Sequence, residues 1–515
     1  IFPKYDDNNS NSIKRRKAKN NHMKPFYITT PIYYVNDKPH IGHAYTTILA
    51  DVLSRYHRNN GRDVFFLTGL DEHGQKVQQA AEEKGVDTKI HCDEMAPRFT
   101  KLWDELHIEY DDFIRTTEKR HIRVVQNILK KVYDKGDIYE DRYEGLYSVS
   151  EERFITEKEA ESGNFRDIKK LKEKNYFFKM SRYQKKLISH IENNPKFIQP
   201  VHRKNEILGF LKSPLNDLCI SRPKSRLNWG IELPFDSEYV TYVWFDALIN
   251  YVSALGFDDK KKYNTYWPAN LHLIGKDILT THSVYWPTML MSAGISLPET
   301  IFAHGWWLSD QSKMSKSTGN VIDPLELIKL YGVDPVRFYL MKEMVLGQDS
   351  NFSKDSFIKC YNSDLANDFG NLLSRVSNLI NKFYSGVLVE GEELSESGMA
   401  IKESAIKTIK EVSKLMDEMK INDAIDKVLQ FVKSVNKFLE ITAPWKIVKT
   451  DLKKAGRILF TSAESLRIIA LLLAPIMPNR TDVVLDTLNI NDRNIYWGGL
   501  VVGDKIKTHK PLFPR

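Results

Sequence analysis

Apolar positions change their spacing along the chain, and these changes predict where elements begin and end. The stretch FYITTPIYY, which starts at Phe26, is rich in β-branched and aromatic residues and predicts a strand. A helix is predicted from about His40 to Arg58, stopping near Gly61, because apolar residues then recur at helical spacing. The stretch DVFFLTGLDEHG follows as a predicted buried strand. Strand, helix and strand in this order predict a βαβ unit of a parallel sheet.

Farther along, the pattern predicts an insertion and then a helical region. Residues 138–232 alternate short strand-like pieces with charged segments, which is typical of an inserted domain. Parallel-sheet patterns return in YVTYVWFDALINYV and NLHLIGKDIL, and from about residue 360 the apolar spacing is helical almost to the end. We therefore predict the α/β class: a Rossmann-like parallel sheet, split by an inserted connective domain and followed by an α-helical bundle.

The amino-acid composition restricts the class of protein but does not identify its function. The formal net charge is +8, and residues 1–22 contribute six lysines and arginines against two aspartates. We expect those residues to be a disordered basic extension that precedes the true start at Met23. The remaining mild positive charge is compatible with a nucleic-acid partner but does not require one. The longest apolar run, residues 468–478, is too short to cross a membrane, and three widely spaced cysteines favour a reduced, cytoplasmic setting.

Two histidines flank a glycine at the start of the first predicted helix, in KPHIGHAY at residues 38–45. Asp37 is a plausible N-cap, which would leave the first N–H groups and the positive end of the helix dipole to face a ligand. Gly42 would let a phosphate approach the backbone, and His40 and His43 can donate hydrogen bonds to its oxygens. Taken alone, a pair of surface histidines is the more ordinary interpretation, and no third ligand lies at a spacing that indicates zinc.

A second stretch, SDQSKMSKSTGN at residues 309–320, carries two lysines on a loop rich in serine and glycine. Lys313 and Lys316 could close over a polyphosphate and neutralise a leaving pyrophosphate. HIGH at 40–43 and KMSKS at 313–317 together resemble, letter for letter, the two signatures of the class I aminoacyl-tRNA synthetases.

Further stretches resemble the methionyl-tRNA synthetase family, from about Phe26 to the C-terminus. They are ITTPIYYVN, TGLDEHGQK, YVWFDALINY, LIGKDI, HSVYWP and AHGWW. This resemblance implies a ligase that activates methionine with ATP to methionyl-adenylate and pyrophosphate, with Mg²⁺ accompanying the ATP. It would then transfer methionyl to the 3′-terminal adenosine of tRNA(Met), for initiation and elongation of protein synthesis.

The resemblance also implies which residues act. The implied catalytic residues are His40, His43, Lys313 and Lys316. The implied ATP site consists of His40, Gly42, His43, Gly275, Lys313, Ser315 and Lys316. The implied methionine site consists of Ile32, Tyr34, Asp71, Trp244, Ala247, Tyr251, Ile278 and His282, with Trp286 beside them. The implied anticodon-binding residues are Asn371, Arg375 and Trp445. The roles of Asp246, Lys276 and Asp277 are left open.

The chemistry of these side chains is consistent with the implied amino-acid and anticodon sites. Asp71 follows a predicted strand, where parallel sheets bind ligands, and can pair with a substrate ammonium. Aromatic walls suit a polarizable thioether. Arginine and asparagine can recognise unstacked bases, and a tryptophan such as Trp445 can stack on one.

The resemblance and the patterns together predict six segments. These are a disordered basic extension (1–22), the first half of the catalytic domain (23–137), the connective insertion (138–232), the second half of the catalytic domain (233–323), a linking stem-contact region after KMSKS (324–360) and the helical anticodon-binding domain (361–515). Because the chain ends at HKPLFPR without the extra domain that makes some family members dimers, we expect a monomer.

The insertion departs from the family at its zinc knuckle. Ser148 and Glu151 occupy positions where the resemblance leads us to expect cysteines. A hydroxyl and a carboxylate are poor zinc ligands without thiolates or imidazoles, so we predict no structural zinc. A small core of Tyr147, Phe154, Tyr176 and Phe178 is expected to hold the insertion instead.

Three alternatives remain open at this point. Synthetases for leucine, isoleucine or valine carry a large editing domain, for which the space between HIGH and KMSKS is too small. Small nucleotidylyltransferases share a related start but lack such an insertion and a long helical tail. A non-catalytic tRNA-binding relative is disfavoured because both signatures are intact.

Overall fold

A computed structural model describes most of the chain. It covers residues 23–36, 38–148, 153–155, 157–161, 167–257, 260–309, 312–313, 322–389 and 394–514, with the backbone alone for residues 143, 153, 154, 158, 159, 171, 309, 312 and 313. The strands are β1 (Phe26–Tyr34), β2 (Val64–Asp71), β3 (Asp112–Arg115), β4 (Ile138–Ser148), β5 (Arg153–Ile155), β6 (Ile168–Phe178), β7 (Ile198–Gln199), β8 (Leu218–Cys219), β9 (Ser221–Pro223), β10 (Glu232–Leu233), β11 (Asp236–Thr241), β12 (Leu271–Gly275), β13 (Ile301–His304), β14 (Trp307–Ser309), β15 (Ser312–Lys313) and β16 (Ser350–Phe352).

Helices occupy both the sheet-bearing part of the chain and the C-terminal region. They are α1 (Ile41–Asn59), α2 (Gln75–Glu83), α3 (Thr88–Glu105), α4 (Lys119–Asp134), α5 (Glu157–Glu161), α6 (Gln184–Asn193), α7 (Val201–Phe210), α8 (Val243–Leu248), α9 (Asn250–Ser253), α10 (Lys260–Tyr266), α11 (Trp286–Ala293), α12 (Pro324–Tyr331), α13 (Val333–Glu343), α14 (Lys354–Cys360), α15 (Asn371–Tyr384), α16 (Glu396–Asp417), α17 (Ile421–Thr442), α18 (Pro444–Ile447), α19 (Leu452–Leu473) and α20 (Pro478–Thr487). Short 3-10 turns lie at Met180–Tyr183 and Lys276–Ile278, and π-helical segments at Thr281–Tyr285 and Tyr361–Gly370.

The described residues form two compact units. The first unit comprises the described parts of Ile1–Pro39, Arg62–Asp104 and Ile108–His304, and the second those of His40–Gly61, Glu105–His107 and Gly305–Arg515. Helix α1 therefore belongs to the second unit, although the strands before and after it in sequence belong to the first.

A six-stranded sheet in the order β3-β2-β1-β12-β13-β7 is the centre of the first unit. All of its neighbouring strands are parallel, which confirms the predicted parallel sheet. Strand β2 is buried along its whole length, as the apolar run of its sequence indicates. The edge strand β7 comes from residues predicted to lie in the insertion, yet it pairs with β13 of the main sheet.

The segment between β3 and β12 adds two antiparallel sheets to the first unit, in the orders β5-β4-β6-β8 and β10-β11-β9. Tyr147, Tyr176 and Phe178 of the expected core are buried, and the Phe154 side chain lies outside the described residues. The sequence analysis missed Arg222, whose guanidinium carbon lies 5.2 Å from the ring centre of Tyr147 and 4.6 Å from that of Tyr242. A nearly fully buried cation between two rings is therefore part of this core.

The second unit contains α1, helices α12 to α20 and a small sheet in the order β15-β14-β16. The C-terminal region is helical from α14 to α20, which confirms the predicted bundle. Arg337 of α13 is fully buried, and its Nη2 donates to the Asp51 Oδ2 of α1 at 2.6 Å. The same side chain donates to the carbonyl oxygens of Leu106, Pro475 and Ile476. In the part of the chain that the structure describes, no helix is long and apolar enough to cross a bilayer.

Candidate active site

The amino end of α1 carries the HIGH signature, and the structure corrects its predicted N-cap. The helix begins at Ile41 and its N-cap is His40, whereas Asp37 lies outside the described residues. His40 Nδ1 accepts from the Gly42 N–H at 3.0 Å, and His43 Nδ1 accepts from the His40 N–H at 3.1 Å. The two imidazoles therefore form a reciprocal capping box, a role usually taken by a hydroxyl and a carboxylate. The sequence analysis missed it because histidine is an unusual residue for this geometry.

This capping box selects one neutral tautomer for each of the two rings. A ring nitrogen that accepts a hydrogen bond carries no proton, so a neutral His40 or His43 holds its proton on Nε2. Burial lowers the pKa of His43 well below its ordinary value, and the neighbouring His40 lowers it further. The two ring centres are 4.0 Å apart. Each ring thus offers an Nε2–H donor at the helix start, which is the chemistry expected of a phosphate contact.

Gly42 is required by the same capping arrangement. A Cβ added at this position would lie 2.9 Å from Cε1 and 3.1 Å from Nδ1 of His40. Any side chain larger than hydrogen would therefore displace the His40 ring from its cap.

In the first unit, the carboxyl ends of β1 and β2 bring several predicted methionine-site residues together. Tyr34 and Asp71 end these strands as direct register partners, and Asp71 is 2% exposed. The Tyr34 ring meets the Trp244 ring edge-on, with centroids 6.4 Å apart. Burial raises the pKa of Tyr251, and the Asp71 carboxylate adds to that rise.

Tyr251 is held from several sides. Its hydroxyl donates to His282 Nε2 at 2.8 Å, and His282 Nδ1 donates to the Ile278 carbonyl at 3.0 Å. Burial lowers the pKa of His282 to about 4, so the ring is neutral near pH 7. The ring of Trp286 lies 5.9 Å from that of Tyr251. This side of the site is therefore aromatic and uncharged, which suits a thioether.

The remaining predicted methionine-site residues lie in the same unit. Ile32 is the partner of Gly69 in the β1–β2 register, and Ala247 lies on α8 and is 3% exposed. Ile32, Tyr34, Trp244 and Ile278 are partly buried against the main hydrophobic core.

Gly275 ends strand β12, also at a carboxyl end of the main sheet. A Cβ here would lie 2.5 Å from the Asp277 Oδ1 and 4.0 Å from the His304 Cε1. Lys276 and Asp277 follow directly in the 3-10 turn Lys276–Ile278. The backbone at Gly275 is thus approached closely by a carboxylate, which fits a polar binding surface.

The structure adds a buried cluster that the sequence analysis did not identify. Asp246 is fully buried on α8, and its Oδ2 and Oδ1 accept from His73 Nδ1 at 2.6 Å and His121 Nε2 at 2.7 Å. Burial raises the pKa of Asp246, but the two imidazoles outweigh burial and hold it below its ordinary value. No local signal could have revealed this cluster, because its members come from three distant segments.

The predicted anticodon-binding residues lie at the junction of α15 with α17 and α18. The guanidinium of Arg375 lies 5.7 Å from the Trp445 ring centre, and its Nη1 donates to the Asn436 Oδ1 at 3.3 Å. Asn371 begins α15 and is exposed. Pro444 begins α18 directly after a helix break, since Ala443 has a φ of 42°. Arg375 and Trp445 are therefore brought together, and Asn371 lies one turn before Arg375 on the same helix.

Not every predicted residue can be placed. The backbone of Lys313 lies in β15, but its side chain, Ser315 and Lys316 lie outside the described residues, as does Glu151. Within the described part of the chain, no group of three or more His, Cys, Asp or Glu side chains could hold a metal ion.

Comparison with known proteins identifies related sequences and structures. The family profile "tRNA synthetases class I (M)" matches residues 26–164 and 162–377, and "Anticodon binding domain of methionyl tRNA ligase" matches residues 388–505. The Methionine--tRNA ligase of Clostridium acetobutylicum is 46% identical over 505 residues, covering 96% of this chain and 78% of that protein. The protein of the same name from Thermotoga maritima is 43% identical, covering 95% of this chain and 80% of that protein.

Solved structures agree with these relatives. Mycobacterium tuberculosis methionyl-tRNA synthetase, solved in complex with methionyl-adenylate, superimposes with a TM-score of 0.92 at 38% identity, covering 96% of this chain and 100% of that one. A structure of its apo form gives a TM-score of 0.85 at 35% identity, covering 96% of this chain and 98% of that one.

The parallel sheet with its antiparallel insertion, the HIGH helix and the C-terminal helices define a class I aminoacyl-tRNA synthetase. These features are shared with the relatives above. Within that class, the chain belongs to the methionine–tRNA ligase family. The predicted resemblance, fold class and enzyme class are thereby confirmed, whereas the roles of individual site residues stay predictions.

Proposed function

We propose that this chain charges tRNA(Met) with methionine, binding the amino acid at the carboxyl ends of β1 and β2 and the ATP phosphates through the HIGH and KMSKS signatures. Its reaction class is that of its family, an ATP-dependent methionine–tRNA ligase. The observation that carries the residue assignments is the junction of β1 and β2, where Asp71 and Tyr34 end the strands as register partners and the Tyr34 ring meets the Trp244 ring. A carboxylate next to an uncharged aromatic pocket is complementary to an amino acid with an apolar side chain.

The first step joins methionine to the nucleotide. A methionine carboxylate oxygen forms a bond to the α-phosphorus of ATP, and the bond from that phosphorus to the oxygen of the β-phosphate breaks, releasing pyrophosphate. Asp71 would hold the α-ammonium, while Tyr34, Trp244, Tyr251 and His282 would surround the side chain. Since no covalent enzyme intermediate is needed, positioning and charge stabilisation supply the catalysis.

The phosphates of ATP are assigned to the two signatures. Nε2–H groups of His40 and His43 would donate to phosphate oxygens, in keeping with the tautomers that the capping box imposes. The ammonium groups of Lys313 and Lys316 would neutralise the leaving pyrophosphate. We expect Mg²⁺ to enter with ATP, because this ion keeps several waters and takes its other ligands largely from substrate phosphates.

The second step transfers the amino acid to RNA. A hydroxyl of the terminal adenosine ribose, the 2′-hydroxyl first, attacks the carbonyl carbon of methionyl-adenylate, and AMP leaves. Asn371, Arg375 and Trp445 would select the tRNA by its anticodon, since a guanidinium and an indole suit unstacked bases.

We further propose a cytoplasmic monomer without structural zinc. The zinc prediction rests on the donor set: Ser148 is fully buried, and burial raises the pKa of Cys219, which favours the neutral thiol over a thiolate ligand. Metal analysis of the purified chain is expected to find far less than one zinc per chain, and a stoichiometric zinc would contradict the prediction. Light scattering during gel filtration tests the monomer.

Amino-acid-dependent ATP–pyrophosphate exchange tests the proposed function. We expect exchange with methionine alone among the twenty amino acids, in the presence of Mg²⁺ and without tRNA. Exchange with leucine, isoleucine or valine would retain the class of enzyme and overturn the pocket assignment. Absence of exchange from folded protein would overturn the proposed activity.

The proposed role of Lys316 in neutralising pyrophosphate is tested by a separate variant. Lys316→Ala is expected to slow adenylate formation strongly, because a cation facing the leaving pyrophosphate is lost. Lys329→Ala, which removes a lysine from the last turn of α12, is the matched control and should keep the wild-type rate. A wild-type rate in Lys316→Ala would remove this residue from the mechanism.

A further inference from the structure

The cluster around Asp246 connects elements that carry opposite halves of the proposed methionine site. His73 comes two residues after Asp71 at the end of β2, and Asp246 lies on α8 between Trp244 and Ala247. The third member, His121, lies on α4 and is fully buried. One carboxylate thus joins the segment proposed to bind the ammonium to the helix proposed to line the side-chain pocket.

The hydrogen bonds of the cluster leave its members little freedom. Both oxygens of Asp246 accept an imidazole N–H, and the other nitrogen of His121 lies 2.7 Å from the Ser253 Oγ of α9. The carboxylate is ionised, since the two imidazoles hold its pKa below the ordinary value despite burial. Short charge-assisted hydrogen bonds of this kind are strongly directional. They therefore fix the distance between the segments that carry Asp246, His73 and His121.

The segment that contains Asp71 is held from its other side as well. Glu72 is fully buried, and its Oε1 accepts from the Arg115 Nε at 2.6 Å. Its N–H donates to the Thr116 Oγ1 at 2.9 Å, and the indole N–H of Trp229 donates to its carbonyl. The cluster around Asp246 therefore supplies the link from an already rigid turn to α8.

Stability alone does not account for such a cluster. Transferring a carboxylate from water to a protein interior is energetically unfavourable, and apolar residues of similar volume often stabilise a core as well or better. What a satisfied buried network provides is a defined geometry.

We propose that Asp246 is a positioning residue for methionine recognition, acting through His73 and His121. It sets the separation between Asp71, at the end of β2, and the Trp244–Ala247 wall of α8. The inference rests on the proposed methionine site. Methionine is recognised at both ends at once, so its ammonium contact is lost when this separation changes, even if each half of the site remains intact.

The first test uses Asp246→Asn, which keeps the size of the side chain and removes its charge. In ATP–pyrophosphate exchange we expect the KM for methionine to rise about tenfold or more, with the KM for ATP within about twofold of wild type. Asp137→Asn is the matched control, because Asp137 is an equally buried aspartate of the same unit that accepts from Ser292 and Arg182. The control should lower stability without changing the KM for methionine.

A second measurement distinguishes a positioning role of Asp246 from a general loss of order in the methionine pocket. Two non-hydrolysable analogues of methionyl-adenylate, one with and one without the α-ammonium, are compared as inhibitors of wild type and Asp246→Asn. We expect the advantage of the ammonium-bearing analogue to shrink about tenfold in the variant, while the analogue without the ammonium keeps its affinity. Equal weakening of both analogues, or no change in either, would overturn the proposal.

A pair of variants at His121 keeps the test decisive if Asp246→Asn does not fold. His121→Gln retains an Nε2 donor toward Asp246, whereas His121→Leu removes it. We expect His121→Leu to lose the ammonium advantage and His121→Gln to restore most of it; similar behaviour of the two would contradict the inference. Methionine-dependent exchange by the wild-type chain tests the proposed function independently, so the two failures are distinguishable.

Discussion

At the scale of single residues, the buried His282 ring of the methionine site is held as a neutral imidazole. His282 donates through Nδ1 to Ile278 and accepts through Nε2 from Tyr251, a pair of bonds that requires a neutral ring. Protonation of that ring would place a second proton against the Tyr251 hydroxyl, which already donates to it. Protonation of the His282 ring at acidic pH therefore destabilises the folded state.

The pKa of His282 predicts a pH dependence of stability with a definite sign. The folded-state pKa of about 4 lies below the ordinary value of 6.5, so the unfolded chain binds more protons between these pH values. Stability from this group is full above pH 6.5 and falls as pH decreases toward 4, by up to about 3 kcal/mol. His282→Gln is expected to reduce the decrease in melting temperature between pH 7 and pH 5.

The matched control for this pH prediction is His202→Gln, because His202 is an exposed histidine of the same unit. This variant should retain the full wild-type decrease in melting temperature. If His282→Gln also retained it, burial of the neutral ring would not be the cause.

At the scale of an element, we predict that Gly42 of α1 is needed for function although it lowers helix propensity. Alanine stabilises a helix by about 0.5–1 kcal/mol relative to glycine, yet its Cβ here would lie 2.9 Å from a His40 ring atom. We expect Gly42→Ala to slow methionine-dependent exchange about 10²-fold, because the His40 ring must move, while the melting temperature changes little.

Helix α7 offers the control for the substitution at Gly42. A Cβ at Gly209 would meet nothing within 4 Å, so Gly209→Ala should stabilise the chain slightly and leave exchange unchanged. Equal rates for the two variants would show that the capping geometry of His40 does not matter for catalysis.

The helices of the bundle carry a prediction about tRNA alone. Trp445 lies under the Arg375 guanidinium at the start of α18, and stacking on a base is worth about 1–3 kcal/mol. Trp445→Ala is expected to lower kcat/KM for tRNA(Met) by roughly 10- to 100-fold while leaving tRNA-independent exchange intact. Tyr496→Ala, which removes an exposed ring that also contacts an arginine, is the control and should leave both unchanged.

At the scale of the whole molecule, Arg337 joins segments from four regions of the sequence. Its guanidinium is fully buried and binds Asp51 together with the carbonyls of Leu106, Pro475 and Ile476. We expect Arg337→Met to destabilise the chain by about 3–5 kcal/mol, because the buried Asp51 carboxylate loses a charged partner. Thermal unfolding of the full chain measures the change.

A double variant shows whether the unpaired charge causes the loss. Asp51→Leu combined with Arg337→Met removes both charges and is expected to recover part of the lost stability. If the double variant were less stable than Arg337→Met alone, the unpaired Asp51 charge would not be the cause of the loss, and the bond from Arg55 to Asp51 would outweigh it.

Much of the fold could be predicted because its signals are local. Helical spacing predicted α1 to within a residue or two of its observed ends, and Ile41, Ile48 and Val52 are all fully buried as the pattern requires. The apolar run before Asp71 predicted a buried parallel strand. Such features depend on a few neighbouring residues, whose propensities act before any distant contact forms.

The candidate site likewise contains features that could be predicted from local sequence and features that could not. The letters of HIGH and KMSKS determined the class of enzyme, and Asp71 was recognisable because ligands bind at the carboxyl ends of parallel strands. The capping role of His40 was not recognisable, since it depends on ring orientations that residue type does not reveal. The contact of Arg375 with Trp445, 70 positions apart in the chain, required the packed bundle.

The sequence by itself therefore determined the elements, the class and the family, because each of these follows from periodicity or from short stretches of residues. Only the tertiary structure determined which partners the buried charged side chains have. Asp246 meets His73 and His121, and Asp51 meets Arg337, across separations of 125 to 286 positions. No spacing rule connects such partners, since their contact depends on the register of strands and the packing of helices that the rest of the chain supplies.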